Sequence, residues 1–102
     1  MQFIIPQSRN LNWKILMNRL GYHEHYDQRS QQTSYIRRLR SLNYPRYHVY
    51  LEMRGDDMRI NIHLDEKQVS YEGQARHSGD YGSELVQREG ERLKSYIVPH
   101  GE

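Results

Sequence analysis

Two histidines and an aspartate sit in a pattern tight enough to suggest chemistry: His48 in the run RYHVYLEMR, then His63 and Asp65 in the run DMRINIHLD. Both runs alternate apolar and polar residues, the mark of strands with one buried face. Between them, Gly55-Asp56 reads as a two-residue loop, and glycine at its first position suits a type II′ turn because that position takes a positive φ. Folding the runs back from this loop places Met53 opposite Met58, Leu51 opposite Ile60, Val49 opposite Ile62 and Tyr47 opposite Leu64 on one face. The other face receives Arg54 opposite Asp57, Glu52 opposite Arg59, Tyr50 opposite Asn61, His48 opposite His63 and Arg46 opposite Asp65. A slip of one residue would carry the whole apolar set to the wrong face, so a hairpin over 46–65 in this register is expected.

Directly opposed Cβ atoms in an antiparallel pair lie about 4.5–5.5 Å apart, close enough for two imidazoles to share one ion. His48, His63 and Asp65 thus form a candidate metal set of two histidines and a carboxylate, as used in metal-dependent hydrolases and oxygenases. The alternative is a solvated or hydrogen-bonded histidine pair, with Arg46 competing for Asp65. The stretch HSGDYGSE, residues 77–84, adds His77 and Asp80. His63 and His77 are therefore candidate general acid–base groups, since imidazole titrates near neutral pH. Asp80 and Ser83 also suit the cap of a following helix, and capping is the plainer role for Ser83. No organic cofactor is implied; a divalent metal is the group this set admits.

A second constellation is basic and aromatic. Arg37, Arg38, Arg40 and Arg46 are interleaved with Tyr35, Tyr44, Tyr47 and Tyr50. Guanidinium forks neutralise phosphates and tyrosine rings stack on unpaired bases, which is what binding single-stranded nucleic acid requires. The plain alternative is an edge strand guarded by charge. The net charge of +2 conceals a division: residues 1–54 carry nine Lys/Arg and three Asp/Glu, residues 55–102 six and ten. A basic N-terminal half facing a polyanion fits that division.

These groups need elements to hold them. At 102 residues and 35% hydrophobic, the chain is expected to be one domain, 1–102, with a small core. It has no cysteine, which excludes disulfides and thiolate chemistry. The opening MQFIIP is too short for a signal peptide and no stretch approaches membrane-spanning length, so a cytoplasmic protein without a membrane partner is expected. A helix is predicted from Ser8 or Asn10 to Leu20, with Trp13, Leu16, Met17 and Leu20 on one face and Gly21 ending it in the left-handed region. A short strand over Tyr22–Tyr26 and another over Ser34–Arg40 follow, though Ile36 and Leu39 have opposite parity. The glycine-interleaved connection 66–82 leads to a helix from about Ser83 to Val98, with Val86, Gly90, Leu93 and Ile97 inward. Gly90 in mid-helix implies a close crossing over the sheet. The fold class expected is α+β: helix, three- to four-stranded antiparallel sheet, helix, both helices on one sheet face and the other face open.

The segments YPRYHVYL, INIHLDEKQVSYEG and HSGDYGSELVQREGERL, spanning Tyr44 to Leu93, resemble short bacterial proteins of unknown function. The order helix, three strands, helix is similar to the double-stranded-RNA-binding-domain-like fold of small HicA-type mRNA interferases. That likeness implies a sheet histidine taking part in RNA cleavage. The Gly-Ser-His sequence around that family's histidine is absent here, and the loop before the last helix is longer. Three functions are consistent with the residues. The first is a small nucleic-acid-binding module, RNA foremost, using a basic, tyrosine-containing sheet face. The second is a metal- or histidine-dependent hydrolase or nuclease centred on His48 and His63. The third is a protein-interaction or homodimer module.

Overall fold

The computed structural model describes residues 1–66 and 80–100. Its elements run β1 (Gln2–Ile5), α1 (Trp13–Arg19), β2 (His23–Asp27), β3 (Gln32–Arg38), β4 (Arg46–Arg54), β5 (Asp57–Asp65) and α2 (Asp80–His100). The strands form one antiparallel sheet in the order β1-β5-β4-β3-β2. The protein is therefore α+β with two helices, as expected, but the sheet has five strands rather than three or four.

The β4–β5 hairpin has the register derived above at every position, from Arg54↔Asp57 to Arg46↔Asp65. Gly55 takes φ +62° at the tip, the conformation that a type II′ turn asks of its first loop residue. The strand outside the expected set is β1. It lies along β5 with Phe3 opposite Ile60 and Ile5 opposite Met58, a pairing so distant in sequence that neighbouring residues carry no sign of it. The chain leaving β1 is fastened to the hairpin tip: Ser8 N donates to Asp56 O at 2.8 Å, Gln7 N to Asp57 Oδ1 at 3.0 Å and Arg9 Nη1 to Gly55 O at 2.7 Å.

That fastening delays α1. The helix starts at Trp13, capped by Asn12, whose Oδ1 accepts from Ile15 N at 3.1 Å, and not after Ser8 or Asn10. Ser8 is instead buried in the connection, donating to Ile5 O at 2.7 Å and accepting the Trp13 indole N–H at its carbonyl. Gly21 ends the helix at φ +99°, as predicted. β3 stops at Arg38, two residues early, which settles the parity conflict: Ile36 stays in the ladder while Leu39 turns toward the helix-side core. Leu39 N donates to Pro45 O at 3.1 Å and closes the 39–45 connection. Helix α2 begins at Asp80, so Ser83 lies within it rather than ahead of it, and it continues through Pro99 to His100.

Both helices pack on one side of the sheet. Trp13, Leu16, Leu20, Val49, Ile60, Ile62 and Leu93 are buried in a common core, with Leu51 and Val86 partly buried against it. Ile5, Met17, Tyr22, Tyr35, Tyr47, Met58 and Ile97 complete it among the described residues. Gly90 marks a close crossing: a Cβ added there would overlap the Met1 thioether and lie 3.7 Å from Ile62 Cδ1. One inward position was not foreseen. Glu89 is buried at 4% exposure, taking the Tyr22 hydroxyl at 2.5 Å and the Arg92 guanidinium at 2.9 Å on each oxygen. Arg92 also donates to Leu20 O at 2.7 Å, so this carboxylate ties α2 to the end of α1. No helix among the described residues is long and apolar enough to cross a membrane.

Candidate functional site

Strand parity decides what is presented by the sheet face turned away from both helices, which no other described element covers. Since Val49 and Tyr47 point to the helices, His48, Tyr50 and Arg46 point away, together with their register partners His63, Asn61 and Asp65 on β5. Across the other boundary, Ile36 pairs with His48 and Arg38 with Arg46. His23 and His25 of β2 stand opposite Ile36 and Ser34. Among the described residues the face therefore carries the four imidazoles of His23, His25, His48 and His63.

His48 is its centre. The ring stacks on Tyr50 at 4.5 Å between centroids and meets His25 edge-on at 6.1 Å; Tyr50 in turn meets His63 edge-on at 5.6 Å. Both ring nitrogens of His48 are engaged. Nδ1 lies 3.0 Å from Asp65 Oδ2, and Nε2 lies 2.7 Å from Ser34 Oγ. A carboxylate accepts only, so Nδ1–H donates to Asp65, while the Ser34 hydroxyl lies between His48 Nε2 and the His25 carbonyl, 3.4 Å away. Asp65 Oδ2 also accepts from Arg46 Nε at 3.2 Å, and the Arg46 guanidinium lies over the Tyr44 ring at 4.6 Å. The result is a chain Tyr44–Arg46–Asp65–His48–Ser34 that holds the His48 ring in one orientation.

The electrostatics follow from that chain. Partial burial pushes the Asp65 carboxyl up, but hydrogen bonding and charge from His48, then from Arg46, outweigh it and leave Asp65 below the ordinary carboxylate value. His63 is held below the ordinary imidazole value by partial burial, the nearby amino terminus and His48, against the opposing pull of Asp65. Burial, then the charges of Asp65 and Asp27, raise the Tyr50 hydroxyl. At neutral pH the face thus offers His63 as an exposed neutral imidazole and Tyr50 as a neutral phenol.

The expected metal set is brought to one face, yet Asp65 is bound to His48 and Arg46, and His63 turns to Tyr50. Among the described residues no group of three or more His, Cys, Asp or Glu side chains is arranged to hold a metal ion. His77, the other candidate acid–base group, lies outside the described residues.

The basic cluster divides between faces. Arg38, Tyr44, Arg46 and Tyr50 gather on or beside the uncovered face, Arg38 Nη1 reaching Asn43 Oδ1 at 3.4 Å. Tyr35 and Arg37 alternate with Ile36 and Arg38 and so point to the helices. Tyr35 is buried with its hydroxyl 3.4 Å from Glu24 Oε2, and Arg37 lies over Tyr47 with Nη1 3.8 Å from Glu89 Oε2. Arg40 sits beyond the strand in a cleft of about 410 Å³ with Leu39, Pro45, Leu64, Glu66 and Leu85. The uncovered face is not uniformly basic. Arg38, Arg46, Arg54 and Arg59 are matched by Asp27, Glu52, Asp57 and Asp65, with Glu52 bridging Arg54 at 3.4 Å and Arg59 at 3.7 Å. A local excess remains where Arg38 and Arg46 stand opposite one another with Asp65 beside them.

His25 and Ser34 are the site residues that sequence reasoning missed. The signal was the alternation in HEHYD, but using it needs the β2–β3–β4 register. The chain was compared with protein-family models, with curated proteins and with solved structures, and none of the three comparisons finds a match.

Proposed function

We propose that the uncovered sheet face binds single-stranded nucleic acid, RNA foremost. The observation that supports this reading is the run of rings His25, His48, Tyr50 and His63 on the face turned away from both helices, with Arg38, Arg46 and Tyr44 at one end. Bases stack on such rings for about 1–3 kcal/mol each, regardless of sequence. The opposed guanidiniums Arg38 and Arg46 neutralise phosphates, and the balanced charge elsewhere keeps the backbone at that end. Arg37, Arg40 and Tyr35 have no part in this surface.

Fluorescence anisotropy with labelled single-stranded RNA and DNA, repeated across a salt series, tests the reading. Each phosphate contact on a single strand contributes about 0.7 to the slope of log K against log salt, so Arg38→Gln with Arg46→Gln should flatten it by about 1.4. Tyr50→Ala should weaken binding about tenfold. Absence of salt-sensitive binding to any single- or double-stranded RNA or DNA sinks the proposal.

One observation favours a second reading, a histidine-centred hydrolase: the order carboxylate, imidazole, hydroxyl in Asp65, His48 and Ser34. That order activates serine nucleophiles, but Ser34 is only 2% exposed beneath the imidazoles. On this reading His63 is the base and the relay orients its neighbour. His63→Ala would then abolish turnover of an RNA or ester substrate while leaving binding largely intact.

A further inference from the structure

We propose that β2 is a self-pairing edge through which two copies of this chain join antiparallel about His25. Among the described residues β2 ends the sheet, and all five of its residues are exposed. It runs alongside β3 through five consecutive partners, His23↔Ile36 to Asp27↔Gln32, without a bulge, so its outer edge is straight and regular. Natural edges are guarded by charge, lysine above all, by proline, by bulges or by shortness; HEHYD has no lysine, proline or bulge, and each of its two carboxylates finds a histidine or tyrosine partner in the pairing that follows.

What the edge carries instead is complementary to itself. With His25 on the twofold axis, His23 faces Asp27 of the second copy and Asp27 faces its His23, on the uncovered face. On the helix side, Glu24 faces Tyr26 and Tyr26 faces Glu24. Residues that meet come from the same face of each sheet, as a twofold axis perpendicular to the sheet requires. Neighbouring registers are worse. Centring on Glu24 opposes two carboxylates, and centring on Tyr26 keeps only residues 25–27 within the strand. The other edge, β1, is QFII, with no charge to set a register. Tyr26, 57% exposed, gains cover in the pair. A five-residue strand pair falls short of the roughly 1,600 Å² of a standard stable interface, so the dimer is concentration-dependent rather than obligate. It joins two five-stranded sheets into one continuous sheet and aligns their uncovered faces.

Sedimentation velocity on the full chain over a concentration series is expected to show a rising dimer fraction, with concentration-dependent amide shifts in NMR concentrated in residues 23–27. His25→Lys, which sets two ammonium groups against each other at the axis, abolishes the dimer. His23→Glu raises the dimer dissociation constant about tenfold by turning two attractive pairs repulsive, whereas His23→Arg preserves or tightens it. Circular dichroism verifies that each variant folds. A chain that stays monomeric at every concentration overturns the proposal. So does a dimer that survives both His25→Lys and His23→Glu but is lost with Ile4→Lys on β1 or Tyr50→Ala on the uncovered face.

Discussion

Replacing Glu89 with glutamine keeps the shape of the side chain and removes its charge. The buried carboxylate now accepts the Tyr22 hydroxyl at 2.5 Å and two Arg92 bonds at 2.9 Å, with Arg37 at 3.8 Å. Glutamine has one acceptor oxygen, so it can satisfy Tyr22 or Arg92 but not the full set, and its amide N–H₂ meets a guanidinium that cannot accept. Hydrogen bonds to charged groups are worth about 1.5–3 kcal/mol and neutral ones about 0.5–1.5, so three weakened bonds could cost over 3 kcal/mol. Arg92 and Arg37 keep 39% and 31% of their side-chain surface in water and can rehydrate. The expected loss is therefore about 2–3 kcal/mol. In a domain of this size that lowers Tm by roughly 10–20 °C. Thermal and urea unfolding followed by circular dichroism measures it. A Tm within about 3 °C of the parent would mean that the carboxylate does not join α2 to α1, refuting the reasoning from burial and partners.

Arg37→Gln should lower Tm measurably and leave RNA affinity and its salt slope unchanged, whereas Arg46→Gln should flatten the salt slope and, with its bond to Asp65 lost, lower Tm only slightly; paired melting and anisotropy curves separate them. Tyr22→Phe removes a hydroxyl held far above the ordinary tyrosine value by burial and then by Glu89. A raised value means stability fully present below the unfolded value, about 10, and lost as pH rises past it. The parent should therefore lose stability above about pH 10 more steeply than the variant in urea titrations. Asp65→Asn should cost about 1 kcal/mol at neutral pH. Because Asp65 is depressed, its contribution is present above the unfolded value of about 3.9 and lost as pH falls below it, so parent and variant should converge in acid.

The hairpin was legible in the sequence because two alternating runs and a glycine turn constrain one another at every position. β1 was not, since Phe3 and Ile4 pair with Ile60 and Arg59, far along the chain. Within MQFIIP itself nothing local marks an edge strand. The same limit governed the site. His48, His63 and Asp65 could be set on one face from the hairpin itself. Ser34 under His48 depends on β3 meeting β4 with Ile36 opposite His48, beyond a connection whose closing bond, Leu39 to Pro45, has no local signature. Arg37 and Tyr35 were grouped with Arg38 by proximity, although strand parity sends them to the other side. Glu89 fell outside the inward stripe of Val86, Gly90, Leu93 and Ile97 because its partners beyond its own helix, Tyr22 and Arg37, lie where no helical pattern connects them.

The placement of β1 also bears on the order in which this chain assembles and comes apart. β2 to β5 form a meander whose turns, at 28–31, 39–45 and 55–56, are short enough to close early. β1 can dock only after the chain has returned from Ile5 to Met58, bearing its closure entropy before any contact offsets it. The seam between β1 and β5 is thus the late one, and Met1, lodged against Gly90, leaves with it when it opens. His25, Ser34, His48 and Tyr50 all lie on the meander with at least β5 between them and that seam. A molecule with its first strand frayed would still carry the rings of His25, His48 and Tyr50, while His63 on β5 would lose its amino-terminal neighbour, so fluctuations at the N-terminal edge reach the face only at its His63 end.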